Sequence, residues 1–249
     1  MNEISERGFS LDRATIGTWL TLGDPAIAEI MAAAGFDWVV VDLEHSLLTL
    51  ETAGELIRVI ELRGSSPLVR PTSNNPDQIK RVMDAGAHGI IVPMVLCADD
   101  AVRAVEATRY PPAGTRGVGL GRAHGYGYKF HQYWEWQVAG PIVIVQIEHR
   151  EAVENLEEIL AVPGVDGLLI GPYDLSSSMG IPGKFDDPGF MESLDTIRST
   201  ARHMGVPAGI FIVEPEVDEL EQAVAEGYTF IVYSVDFRFL DTGARRGIA

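Results

Sequence analysis

The sequence predicts a (β/α)8 TIM barrel. Short runs such as Val39-Val40-Val41, Gly89-Ile90-Ile91-Val92 and Phe230-Ile231-Val232 are apolar throughout, as strands of a parallel sheet covered on both faces must be. Helical patterns precede them and close on glycines, Gly35, Gly86 and Gly227, so that helix and strand alternate. The chain has 249 residues, the usual size of one such barrel. One domain spanning 1–249 is therefore expected, with a doubly wound open sheet as the alternative.

The elements follow in order. Ala14 to Leu20 reads as a first strand, and Asp24-Pro25 opens a helix to about Ala34, with Asp as the cap and Pro in the first turn. Val39 to Val41 is the second strand, and Leu50 to Arg63 has helical periodicity. Pro67 to Pro71 is a third strand that ends in a charge, and Asn75-Pro76 begins a helix to about Ala85. The fourth strand ends at Pro93-Met94, and Ala98 to Arg109 is helical. From Tyr110 to Gly140 the pattern lapses in a stretch too long for an ordinary connection; its many aromatics argue for an ordered cover over a site or a subunit contact. Regularity returns with a strand at Pro141–Ile147, a helix at Ala152–Leu160 and a strand at Gly167–Ile170. A helix from Asp187-Pro188 to about His203, a strand at Pro207–Phe211, a helix at Pro215–Glu226, a strand at Phe230–Ser234 and a last helical segment containing Phe237 to Leu240 complete the count of about eight strands.

Composition narrows the function classes. The formal net charge is −17, from 19 Lys and Arg against 36 Asp and Glu, so neither a nucleic acid nor an anionic membrane is expected as a partner. An anionic substrate needs a well-placed arginine or a metal ion to overcome that field. Cys97 is the single cysteine, which rules out an intrachain disulfide and a cysteine-based zinc site; it reads as a small half-buried residue at a strand end or helix start. The polar stretch Met1 to Arg13 lacks an apolar signal core and no run approaches membrane-spanning length, so a cytoplasmic location is expected.

In a barrel of this class the chemistry collects at the C-terminal strand ends. Those ends read Trp19, Asp42-Glu44-His45, Arg70, Met94, Gln146-Glu148, Asp174, Phe211 and Ser234. Glu148 and Asp174 end neighbouring strands. Two carboxylates brought together repel, and a divalent cation between them removes the difficulty; oxygen donors in small number suit an octahedral Mg²⁺ or Mn²⁺, or Co²⁺. Each could instead serve locally, Asp174 as a cap over Leu175-Ser176 and Glu148 as a partner of Arg150. His45 could act as a general base or could simply pair with the neighbouring acids. Arg70 could clamp a carboxylate or stabilise an enolate oxygen, or could bridge to Asp42 or Glu44 across the barrel mouth. The glycines between Gly114 and Gly121 have neither a preceding strand nor a following helix, and so make no phosphate-binding fingerprint.

The segments Gly35-Phe36-Asp37-Trp38 to Asp42-Leu43-Glu44-His45, Val69-Arg70-Pro71, Arg109-Tyr110-Pro111-Pro112-Ala113-Gly114-Thr115-Arg116-Gly117, Gln146-Ile147-Glu148 and Gly171-Pro172-Tyr173-Asp174-Leu175-Ser176 resemble, in that order, the HpcH/HpaI family of metal-dependent class II pyruvate aldolases. The resemblance runs from about Gly17 to Ser234. It implies a barrel of the phosphoenolpyruvate/pyruvate type. It also implies reversible retro-aldol cleavage of a 4-hydroxy-2-oxo acid to pyruvate, or a related 2-oxo acid such as hydroxypyruvate, and an aldehyde. Glu148 and Asp174 then correspond to ligands of Mg²⁺, Mn²⁺ or Co²⁺, which chelates the 2-oxo acid. His45 corresponds to a base acting with metal-bound water, and Arg70 to the group that stabilises the enolate. Asp84 corresponds to a carboxylate that reaches a neighbouring subunit's histidine, although its helical setting alone reads as exposed surface. Gln146 and the backbone at Tyr173-Asp174 correspond to substrate contacts, with Trp19 and Phe211 at adjoining strand ends. A homo-oligomer is implied, by resemblance a hexamer with its last helix exchanged. The sequence departs from the family pattern at Tyr173, where better-known members carry a small residue, and at Gly121 to Tyr126; with Phe211 these alter the room for the aldehyde or the donor. A C–C lyase for acyl-CoA substrates and a non-catalytic barrel are the alternatives, the first disfavoured by the acidic balance and the second by the presence of every site group.

Overall fold

The computed structural model describes residues 9–138 and 140–248; the first eight positions of the polar N-terminal stretch lie outside them. Eight parallel strands close into a barrel in sequence order, the last pairing with the first. They are β1 (Thr15–Leu20), β2 (Trp38–Asp42), β3 (Ser66–Arg70), β4 (Gly89–Val92), β5 (Ile142–Ile147), β6 (Gly167–Ile170), β7 (Ala208–Ile212) and β8 (Phe230–Val235). Between them run α1 (Pro25–Ala33), α2 (Leu50–Leu62), α3 (Pro76–Ala85), α4 (Ala98–Thr108), α5 (Phe130–Trp136), α6 (Arg150–Glu154), α7 (Leu156–Leu160), α8 (Pro172–Ser178), α9 (Pro188–Met204) and α10 (Val217–Ala225), and α11 (Asp236–Arg246) follows β8. The closed topology removes the open-sheet alternative, and with it any unpaired strand edge.

Local chemistry sets the helix starts. Asp24, Asn75 and Asp187 each accept a backbone N–H of the first turn through the side chain, with proline at the next position, as the Asp-Pro and Asn-Pro pairs suggest. Cys97 is the residue immediately before α4. The barrel interior is filled around Trp38 and Phe230, whose rings stack with centroids 4.1 Å apart. Gly17 makes room for them: a Cβ there would lie 2.0 Å from the Trp38 ring. Leu68, Ile91, Ile144 and Leu169 complete this inner layer, while a second, larger apolar layer lies between the strands and the helices.

Three expectations are corrected. The helix read over Ala152–Leu160 is two, α6 and α7, because Asn155 leaves helical geometry and its side-chain amide donates to Leu96 O at 2.9 Å. Asp174, read among the strand ends, lies instead in the first turn of α8, with Pro172 preset for that turn. The 110–140 stretch is not irregular throughout. It holds short 3-10 turns at Arg122–Gly127 followed by α5, pinned where buried Arg116 lies over the Tyr110 ring and donates to Tyr133 Oη at 2.8 Å.

Candidate active site

The strand register builds the site. Pairing of β2 with β3 sets Asp42 opposite Arg70 at the last rung, and their side chains meet in a two-point ion pair, Nε to Oδ1 at 2.8 Å and Nη2 to Oδ2 at 2.7 Å. Arg70 Nη1 also lies 3.3 Å from Glu44 Oε2, and its guanidinium stacks over Trp19 at 4.9 Å. The bridge considered for Arg70 is therefore present, and it holds the cation rigid in the barrel mouth without neutralising what lies beyond it. Burial pushes Asp42 up, but the Arg70 pairing outweighs it and holds the carboxyl below its usual range. Burial raises Glu44 despite Arg70 and His45, and Asp42 and Asp174 push the same way.

Glu148, one residue past β5, is almost wholly buried. It accepts Met94 N at 2.7 Å on Oε1 and Gln146 Nε2 on Oε2, rather than pairing with Arg150. Met94 has a positive φ of 52°, a strained conformation for this side chain that aims its N–H at the carboxylate. Burial first, then the charges of Glu44 and Asp174, push Glu148 up to about 7. Asp174 stands in the first turn of α8, exposed, and makes no side-chain cap there. Its charge acts on both Glu148 and Glu44. Gly171, just past β6, leaves room for the Glu148 carboxylate, since a Cβ there would lie 2.8 Å from Glu148 Oε2 and 3.0 Å from Gln146 Nε2. Gly171 belongs to the Gly-Pro pair that follows β6, and the steric reason for it lies across two strands.

Trp19, Arg70, Gln146, Gly171, Tyr173, Asp174 and Phe211 line a cavity of about 140 Å³ at the strand ends. Two buried polar atoms around it, Gln146 Oε1 and Trp19 Nε1, lack a hydrogen bond among the described residues. His45 follows β2 with its ring 63% exposed and Nε2 3.7 Å from Glu44 Oε2. Asp84 is the predicted residue that the single chain does not bring to this mouth. It sits in the last turn of α3 and pairs with Arg116.

The donor set suits a cation. Among the described residues no three His, Cys, Asp or Glu side chains already form a cage. Two carboxylates do act on each other electrostatically, one of them buried at a cost that a cation would offset, beside an amide oxygen without a hydrogen bond among the described residues. This all-oxygen set fits a hard divalent ion that keeps several waters.

Comparison with known proteins agrees with this architecture. The model of the family described as HpcH/HpaI aldolase/citrate lyase matches residues 15–240. The chain belongs to that family. A 4-hydroxy-2-oxo-heptane-1,7-dioate aldolase of Salmonella typhimurium is 40% identical over 234 residues, 93% of this chain and 88% of that one. An HpcH/HpaI aldolase/citrate lyase family protein from Burkholderia cenocepacia superposes with a TM-score of 0.90 at 34% identity, over 95% of this chain and 94% of that one. An HpcH/HpaI aldolase from Desulfitobacterium hafniense gives 0.88 at 32%, over 95% and 92%. Family membership makes the chain a carbon–carbon lyase of the aldolase type.

Proposed function

We propose that the protein cleaves a 4-hydroxy-2-oxo acid reversibly into pyruvate, or a closely related 2-oxo acid such as hydroxypyruvate, and an aldehyde, using Mg²⁺, Mn²⁺ or Co²⁺ held by Glu148 and Asp174. The observation that carries the reading is the buried Glu148 carboxyl, raised by burial and by the charge of Asp174, with Arg70 at the same barrel mouth. The bound cation supplies electrophilic polarisation of the donor's keto group.

The chain's own groups supply the rest. His45 takes the proton of the 4-hydroxyl, and Glu44, 3.7 Å from Nε2, holds the resulting imidazolium. As the C3–C4 bond breaks, its electron pair moves toward C2 and the keto oxygen, the hydroxyl carbon leaves as an aldehyde, and proton return at C3 yields the 2-oxo acid. Arg70 is fixed by Asp42 and Trp19 before substrate arrives, so it meets the developing negative charge without reorganising. Gln146 and the α8 backbone at Tyr173-Asp174 position the donor's oxygens.

The same reading includes a homo-oligomer, by resemblance a hexamer. Leu47 is fully exposed two residues from His45, and Met94 beside Glu148 is 47% exposed, an apolar rim suited to cover by a second copy. Phe237 and Leu240 leave α11 with an apolar face consistent with exchange between copies, although Phe239 packs on its own chain's Phe36 and Tyr233. Asp84 is assigned to a neighbouring copy's histidine on the family resemblance. Among the described residues no helix is long and apolar enough to cross a membrane, and a cytoplasmic location is proposed with the rest.

The test is pyruvate release from a 4-hydroxy-2-oxo acid before and after EDTA, with Mn²⁺, Mg²⁺ or Co²⁺ restored. Activity lost on chelation and regained with metal is expected. Activity indifferent to EDTA would remove Glu148 and Asp174 from their role.

A further inference from the structure

Beyond the strand-end cavity lies a second, larger space that the reaction described above does not use. It is a groove of about 530 Å³ between α9 and α10, over the outer face of β7. Phe185, Phe190, Leu194, Ile210, Ile212 and Ala223 give it an apolar floor and sides. This volume is typical of a small-molecule site.

The groove adjoins the strand-end cavity. Ile170, Pro172, Tyr173, Phe211 and Val213 line both spaces, so the two cavities share one wall. Tyr173 is the exposed part of that wall. Its ring is 57% exposed and meets Phe185 edge-on at 5.0 Å, and its hydroxyl makes no hydrogen bond among the described residues. Nothing polar among those residues anchors the ring across the passage.

The charge pattern selects what can enter. Among the described residues no Lys, Arg or His lines the groove, whereas Glu214, Glu219 and Glu226 do. Glu214 is paired with Arg238 at 2.6 Å and Glu226 with Arg198 at 3.0 Å, which leaves Glu219 without an ion pair among the described residues. In the smaller cavity the single cation among them is Arg70, already engaged by Asp42. The Salmonella relative is named for a heptane-1,7-dioate, whose aldehyde half would carry a carboxylate. Such a carboxylate finds no described cation in the groove's lining, the bordering Arg238 and Arg198 being already held by Glu214 and Glu226, and meets Glu219.

We propose that this groove is the subsite for the tail of the aldehyde half, that it takes an uncharged alkyl or aryl chain, and that Tyr173 sets specificity at its entrance. The proposal rests on the aldolase reading above and adds the substrate class. Burial of a methylene is worth about fourfold when complete and about twofold in a half-open groove. Three methylenes, from propanal to hexanal, should therefore raise kcat/KM about ten- to sixtyfold.

The experiment is aldol addition of pyruvate by the purified Mn²⁺-loaded protein to acetaldehyde, propanal, pentanal, hexanal and succinic semialdehyde. The expected result is a rise with chain length, mainly through KM, and pentanal preferred over the equally long anionic succinic semialdehyde by at least tenfold. In Ala223→Phe, which fills the groove, or Leu194→Ala, which strips one side should the first variant fold poorly, the hexanal-to-propanal ratio should fall severalfold. Tyr173→Ala should shift the same ratio, where a purely structural Tyr173 would lower all aldehydes equally. A flat chain-length profile with activity on acetaldehyde, or a preference for succinic semialdehyde, overturns the subsite and leaves the aldolase reading standing. No addition to any aldehyde with any metal overturns both.

Discussion

Replacing Glu148 with Gln separates the cost of its burial from the use of its charge. In the metal-free protein the carboxyl is raised from 4.5 to about 7, chiefly by burial. A carboxyl raised on folding contributes stability that is full below about 4.5 and is lost as pH climbs through about 7, because the folded state then holds an ionised group it solvates poorly. At 1.36 kcal/mol per pH unit the loss approaches about 3 kcal/mol above pH 8. The Glu148→Gln variant would escape it. The oxygen of the new amide can still accept Met94 N, and its nitrogen can donate to Gln146 Oε1, at present without a hydrogen bond, once the Gln146 amide turns over. Chelated Glu148→Gln should therefore match wild type near pH 5 and exceed it at pH 8.5 by about 1–3 kcal/mol, or several degrees in Tm, while losing activity and the stabilisation that Mn²⁺ gives wild type. Thermal and urea unfolding of both proteins in EDTA and in Mn²⁺ at the two pH values measure all of this. A stability difference independent of pH, or a variant that Mn²⁺ protects as well as it protects wild type, would refute the reasoning.

Arg70→Ala should cost about 3–5 kcal/mol, since it strands Asp42 as a buried carboxylate, and Arg70→Lys should keep most of the stability but lose the two-point geometry and much of kcat; denaturation and steady-state kinetics separate the two effects. Asp174→Asn lies on the exposed first turn of α8, so unfolding should change by no more than about 0.5 kcal/mol, while Mn²⁺ affinity measured by calorimetry falls at least tenfold. Gly171→Ala keeps every proposed ligand yet places a Cβ 2.8 Å from Glu148 Oε2. It should weaken Mn²⁺ binding without removing any carboxylate, and an unchanged calorimetric Kd would show that the carboxylate moves aside freely.

The resemblance alone carried the family, and the apolar runs and Gly, Asp-Pro and Asn-Pro punctuation carried the barrel, because both are local: each strand is read from its own burial pattern and each helix start from its own cap. The polar residues at and beyond the strand ends were also legible in the sequence: Arg70 and Gln146 lie on strands and Glu148 one residue past one, whereas His45 follows β2 by three residues and Asp174 lies in α8. Helix interruptions were less legible. Asn155 breaks a continuous helical pattern for the sake of a carbonyl 59 positions away, a partner that periodicity cannot display.

The tertiary structure alone decided how those strand ends interact. The Asp42–Arg70 pair depends on the β2–β3 register, the rise of Glu148 on burial by several strands at once, and the need for glycine at 171 on a side chain at the end of the preceding strand. The groove beside α10 is likewise a space between elements, with no residue pattern of its own. Propensity and patterning act over a few neighbouring residues, whereas electrostatics and steric exclusion act through space, and only the closed barrel brings those distances into range.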